Sequence, residues 1–298
     1  MSYEAFVEAV EYAVNAWVSS GKIFPPDGQP PMVTVLHRTG YNGRPRDAVT
    51  IRKEGCNSSP VAYLDSYFTL YERGISVGEI ARQICVFIRD HYMPGKINTR
   101  FFSSFEEAGK GIICRVLNYE MNRKLLEDIP YRRFLDLAVV YYMQVPDDLI
   151  SNASILIRNE HIQYWGTEEK ELYEKAWQNM MRTCPWQLFE MGELIGEAGI
   201  CKEEPLYVLT NSTRHFGAVW MTWPETLACV AGKIGEEYYV LPSSVHEVIL
   251  VPSPGRVDVE ELQDMVRTIN RTEVEEEDRL ADSVYRYSVQ EGSLRLAV

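Results

Sequence analysis

Tyr238-Tyr239-Val240-Leu241-Pro242-Ser243-Ser244-Val245-His246-Glu247-Val248-Ile249-Leu250-Val251-Pro252 is the stretch on which the fold reading turns. Two runs rich in β-branched, aromatic and aliphatic residues flank a short polar insert. Pro242, Ser243 and Ser244 supply turn chemistry, so the runs read as two neighbouring strands. The insert is also the one place where His, carboxylate and hydroxyl side chains fall within four residues inside strong strand signals. Strand alternation places Ser244 and His246 on one face and Glu247 on the other.

Working outward, helix signals surround these two runs. Asp258 to Glu261 has the form of a capping box, followed by Leu262, Met265, Val266 and Ile269 at helical spacing. Pro224-Glu225 opens a helix to about Gly235. Thr167-Glu168-Glu169 opens another, with Leu172, Ala176 and Met180 on its apolar side. Ser76 to Glu79 starts a helix to about Asp90, and Ser104 to Glu107 starts one that the periodicity carries to about Leu126. The first helix holds Phe6, Val10, Ala13, Val14 and Trp17 and ends at Gly21. Strands are expected at 32–37 and 48–53 around an Asn42-Gly43 turn, at 61–64, and at 135–143. Hairpins are expected at 154–158 with 163–165, and at 206–210 with 217–221. Residues 184–204 read as a looser segment, and 282–288 as a strand closing a sheet edge.

This pattern predicts an α+β fold of antiparallel or mixed sheets with packed helices. Thr34 to Arg38, Ser154 to Asn159 and Tyr207 to Asn211 each look like a strand running into a polar turn, which is what repeated ββα units would produce. Pro130 divides the chain into an expected N-terminal region, 1–130, and a C-terminal region, 131–298.

Composition narrows the function class. The 298 residues are 46% hydrophobic, enough for sizeable cores, and carry a net charge of −13. Generic nucleic-acid binding rests on Lys and Arg neutralising phosphates, so it is not expected here. The basic cluster Arg38, Arg44, Arg46, Arg52 and Lys53 reads as a solvated hairpin loop. From Asp258 onward eleven acids stand against five arginines, a solubilising face or a dock for a basic partner. Cys56, Cys85, Cys114, Cys184, Cys201 and Cys229 form no Cys-x-x-Cys pair, and Cys85, Cys114 and Cys229 read as small core residues. The start lacks a secretory pattern, and the longest apolar run, Leu137 to Met143, is far too short to span a membrane. A reducing cytoplasm is the expected setting.

The chemistry at the insert has two readings. A Ser244–His246 pair supports nucleophilic catalysis only if a third group orients the imidazole, and the stretch is not a Gly-x-Ser-x-Gly elbow. A turn whose hydroxyls bond backbone, with a half-buried His246, is the stronger reading. No histidine pair has metal-ligand spacing, no phosphate-cradling glycine motif occurs, and no cofactor or metal is expected. Asn118 and Asn122, four apart in an otherwise apolar pattern, either cap neighbouring backbone or read a ligand amide.

Four stretches together resemble a known family: Asn118-Tyr119-Glu120-x-Asn122, Phe134-Leu135-Asp136-Leu137-Ala138, Tyr207-Val208-Leu209-Thr210-Asn211 and Leu241-Pro242-Ser243-Ser244-Val245-His246-Glu247-Val248. The chain resembles, over nearly its whole length, an uncharacterised family of hypothetical proteins from anaerobic Gram-positive bacteria, domain-of-unknown-function family 5688. The resemblance implies a bacterial cytoplasmic protein and carries no activity. The sequence therefore points to a non-enzymatic binding or regulatory module with a protein as the expected class of partner. Ser243, Ser244, His246, Glu247 and Asn211 are its candidate binding residues. The alternative is a hydrolase using His246 with Ser244 or Glu247.

Overall fold

Phe6, Val7, Val10, Val14 and Val18 recur along one side of a helix, α1 (Tyr3–Ser19), and all are buried. Ser2 caps it by accepting the Ala5 N–H. In this computed structural model, which describes residues 1–22, 31–44, 46–93, 95–150, 153–194, 205–253 and 258–297, α1 opens the first of two compact units. That unit comprises Met1–Gly40 and Arg44–Thr99. Its antiparallel sheet runs β1 (Met32–Leu36), β2 (Ala48–Arg52) and β3 (Val61–Tyr63). Helices α2 (Leu64–Glu72) and α3 (Val77–Asp90) complete it. Ser76 caps α3 through the Glu79 N–H, as its capping box predicts. Ile80, Ile84 and Ile88 of α3 join the α1 stripe, Val49, Ile51 and Leu64 in one core.

The second unit is Tyr41–Gly43 with Arg100–Val298. Its elements in order are α4 (Phe105–Ala108), β4 (Ile112–Asn118), α5 (Arg123–Leu126), β5 (Tyr131–Phe134), β6 (Leu137–Gln144), β7 (Ser154–Leu156), α6 (Asn159–Trp165), α7 (Glu169–Thr183), β8 (Trp186–Glu190), α8 (Met191–Leu194), β9 (Tyr207–Asn211), a 3₁₀ segment (Gly217–Thr222), α9 (Pro224–Ile234), β10 (Glu237–Leu241), β11 (Val248–Pro252), α10 (Val259–Thr272), β12 (Tyr285–Ser288) and β13 (Ser293–Leu296). One sheet has the order β4-β6-β5, with β7 also on β6. The other runs β13-β12-β10-β11-β9-β8. All the pairs are antiparallel. The main core takes side chains from both sheets, α7, the 3₁₀ segment and α9. Helix α10 covers the other face of the six-stranded sheet, where Leu262 and Val266 meet Tyr239 and Leu241.

The fold is α+β with antiparallel sheets, as the sequence predicts, and the two strand runs read from Tyr238 to Pro252 are β10 and β11, which pair antiparallel. Several expectations are corrected. Ser104 does cap a helix through the Glu107 N–H, yet that helix lasts four residues before Gly109 and Gly111, poor helix formers; Ile112–Asn118 is strand β4, and helix returns only in α5. Ile112, Ile113 and Val116 are β-branched, and their pairing with β6 outweighs the helical spacing. Residues 163–165 lie in α6, ended by left-handed Gly166, and 217–221 form the 3₁₀ segment, so neither expected hairpin exists. The repeated ββα unit goes with them. The looser segment contains strand β8; residues 195–204, Cys201 among them, lie outside the described residues. β12 is not a sheet edge, since it sits between β10 and β13. Cys229, read as core, is exposed. A division at residue 130 would part β4 from β6, which pair from Ile112 to Asn118. No helix among the described residues is long and apolar enough to cross a membrane.

Candidate functional site

The Pro242–Glu247 insert is sewn to the segment after α10. Val245 N donates to Asp278 O at 2.9 Å, Leu280 N to Ser243 O at 3.2 Å and Ala281 N to Pro242 O at 3.1 Å. That segment is itself held by amides. Asn42 Nδ2 donates to Glu276 O and Arg279 O, and Asn118 Nδ2 donates to Leu280 O. Asn122, buried, bonds the Asn42 side chain and N–H and the Asn118 carbonyl. Ser283 Oγ donates to Asp136 at 2.7 Å, as does the Tyr285 hydroxyl, whose pKa burial drives up. The four stretches behind the family resemblance thus meet in one polar joint. Asn118 and Asn122 act there as backbone caps, from the end of a strand and the turn after it.

His246 is the centre of that joint. Its carbonyl accepts from Gly217 N at 2.8 Å and from Thr210 Oγ1 at 2.9 Å. Its Nδ1 accepts the Phe216 N–H at 3.2 Å, which puts the neutral ring's proton on Nε2, 3.4 Å from Asp278 Oδ1. Ser244 Oγ accepts the His246 N–H at 3.1 Å, a local hydroxyl turn bond. Ser243 is buried, and Glu247 is exposed.

What His246 holds is the loop from Asn211 to Gly217. Arg214 and Phe216 both sit in the left-handed region, φ 55° and 56°, which costs a non-glycine residue about 1–2 kcal/mol each. Asn211, buried at the end of β9, fixes the loop from inside. Its Oδ1 accepts from Thr213 N, Thr213 Oγ1 and His215 N, and its Nδ2 donates to His215 O. Gly217 lies so close to β9 that a Cβ there would stand 2.6 Å from Asn211 N. Neither the strain nor the close approach would persist without the surrounding bonds.

This loop forms one wall of a cavity of about 440 Å³. The outer edge of β4, the C-terminal end of α7 and residues Gln144, Ala153 and Ser154 form the others. Cys114 N leaves that edge to meet Met180 Sδ at 3.4 Å, and Asn179 Nδ2 covers the Ile112 carbonyl at 2.8 Å. Burial pushes the Cys114 and Cys184 thiols up, so neither is poised as a thiolate nucleophile at neutral pH. Arg115, also on the lining, is stacked between rings. Its guanidinium carbon lies 3.7 Å from the centroid of Phe216 and 4.1 Å from that of Tyr142. Nη2 donates to Ser154 Oγ at 3.1 Å, and Nε is buried without a hydrogen-bond partner among the described residues.

The structure therefore brings Asn211, Ser244 and His246 into one hydrogen-bonded assembly and leaves Glu247 at its rim. Of the sequence candidates only Asn211 reaches the cavity lining. Arg115 and Asp278 were missed. Arg115 did carry a signal: it is the lone charge in Ile112-Ile113-Cys114-Arg115-Val116-Leu117. Asp278 and His215 meet His246 through tertiary contacts with no local mark. The profile of a family of unknown function, DUF5688, matches residues 3–289, and the chain belongs to that family. Neither a curated protein nor a solved structure matches it.

Proposed function

We propose that this member of a family of unknown function is a binding module, with its ligand in the cavity between β4, the end of α7 and the Asn211–Gly217 loop. The Pro242–Glu247 insert is then the brace that shapes one wall. The observation carrying this reading is that the His246 Nδ1 lone pair is taken by the Phe216 N–H, while Nε2 carries the proton and faces Asp278 Oδ1 at 3.4 Å. A general base needs a free nitrogen within reach of its substrate, and Ser244 Oγ faces the His246 backbone rather than a substrate. The cavity volume suits a small molecule better than a protein segment, since ligand pockets run from about 300 to 1,000 Å³. The described cysteines are free thiols, which fits the reducing cytoplasm as the setting.

The hydrolase reading draws on the His246–Asp278 pair. In a serine triad, however, the carboxylate orients Nδ1 and Nε2 faces the nucleophile, whereas here Asp278 lies on Nε2. Turnover of p-nitrophenyl acetate and p-nitrophenyl phosphate by the full chain separates the two. A binding module gives rates equal to Ser244→Ala and His246→Ala. A rate that both substitutions abolish, in variants that remain folded, overturns the proposal. On the positive side, a thermal-shift survey of small metabolites should give stabilising compounds whose effect is lost in Ala153→Trp, which adds a bulky ring to the cavity lining.

A further inference from the structure

We propose that the ligand is a small organic acid whose carboxylate is seated on Arg115. This rests on the cavity being the binding site and adds the chemical class of what binds. The protein carries a net charge of −13, yet among the described residues the cavity lining has an arginine and a histidine and no carboxylate. An arginine placed for stability is ordinarily answered by an acid. Arg115 is answered by two aromatic faces, which hold the guanidinium plane and leave its charge uncompensated.

The edge of that plane remains for an acceptor. Nη2 donates to Ser154 Oγ, the Tyr142 hydroxyl also lies in hydrogen-bond reach of the guanidinium, and Nε is closed to solvent, so a bound acceptor would meet the terminal nitrogens. A planar carboxylate matches the guanidinium fork with two parallel hydrogen bonds. Ser154, having accepted from Arg115, has its own hydroxyl proton to give. Thr213 has committed its proton to Asn211, so the loop side adds few donors. One fixed cation and one free hydroxyl suit a monoanionic carboxylate better than a phosphate, which brings nearly two charges and three acceptor oxygens. Ile113, Met180 and Phe216 on the same lining supply apolar surface for the carbon skeleton.

The test is calorimetric titration of the full chain, at fixed ionic strength, with aliphatic, aromatic and dicarboxylic acids, their uncharged amides, and inorganic phosphate. Acids should bind and their amides should not. Arg115→Gln should weaken acid binding about 10- to 100-fold, the loss expected for a charge-assisted hydrogen-bonded pair, in a variant that remains folded, its urea midpoint lowered only by the lost ring stacking. Arg115→Lys should recover part of the affinity. Should Arg115→Gln not fold, Ala153→Trp, which leaves Arg115 in place, must abolish acid binding. Amides binding as well as acids, Arg115→Gln binding acids at parental affinity, or phosphate binding more tightly than every acid would overturn the carboxylate assignment and leave the binding module standing. Absence of any binding that Ala153→Trp removes would overturn both.

Discussion

Replacing His246 by alanine removes three interactions of unequal worth. The Phe216 N–H loses its acceptor at 3.2 Å, and a half-buried donor left unpaired costs about 1–3 kcal/mol. The ring contacts with Phe216 and His215, at 5.1 and 5.5 Å between centroids, add roughly 0.5–1 kcal/mol because the side chain is partly exposed. The Asp278 contact adds about 0–1 kcal/mol, since both partners are about a third open to solvent, 29% and 34%. Against this, the freed loop can relax the left-handed Phe216, which returns part of the loss. The expected change is about 2–3 kcal/mol. Urea unfolding followed by circular dichroism should show it as a lower midpoint at an unchanged m-value. Asparagine carries an acceptor where the Nδ1 of histidine sits, so His246→Asn should recover most of the loss. An alanine variant within about 0.5 kcal/mol of the parent, the usual spread of surface substitutions, would refute the brace. So would an asparagine variant no better than alanine.

Gly217→Ala should destabilise by about 1–3 kcal/mol, because the added Cβ would meet Asn211 N at 2.6 Å and neither β9 nor the 3₁₀ segment can move away freely; a calorimetric melt would register it. Alkaline stability should fall above about pH 10, the ordinary tyrosine pKa. Burial raises the hydroxyls of Tyr141, Tyr142, Tyr238 and Tyr285, so the native state keeps protons that the unfolded chain gives up, and the unfolding free energy decreases as pH rises. Denaturant midpoints between pH 8 and pH 11 should therefore be flat at first and then drop, and a rise would contradict the burial. Thiol titration of the denatured, unreduced protein should find all six cysteines reactive.

Local signals were legible where chemistry and geometry coincide within a few residues. Ser76 and Asp258 cap α3 and α10 as their boxes predict, and Pro242-Ser243-Ser244 separates β10 from β11. Strand β4 was not legible, because Ile112, Val116 and the residues after them satisfy a helical period too, and only pairing with β6 decides between the two. The same holds for the candidate site. Ser244 and His246 could be placed on the insert from spacing alone. Their roles as turn acceptor and loop brace depend on Phe216 and Asp278, some thirty residues away on either side. Asn211 has ordinary turn chemistry in sequence, while its four hydrogen bonds exist only once Arg214 and Phe216 are forced into left-handed backbone.

Strand β4 has a consequence for solubility. It pairs with β6 on one side, and its other edge is shielded by Asn179 and Met180 of α7. Should α7 lift away during folding or heating, a run of five apolar residues and one arginine would present open backbone to a second chain, the template from which intermolecular sheets grow. Arg115 then acts as a gatekeeper charge in an aggregation-prone segment. Removing it deprives the unfolding protein of its one electrostatic deterrent on that strand, so refolding yield at high protein concentration should suffer in Arg115→Gln before native stability does.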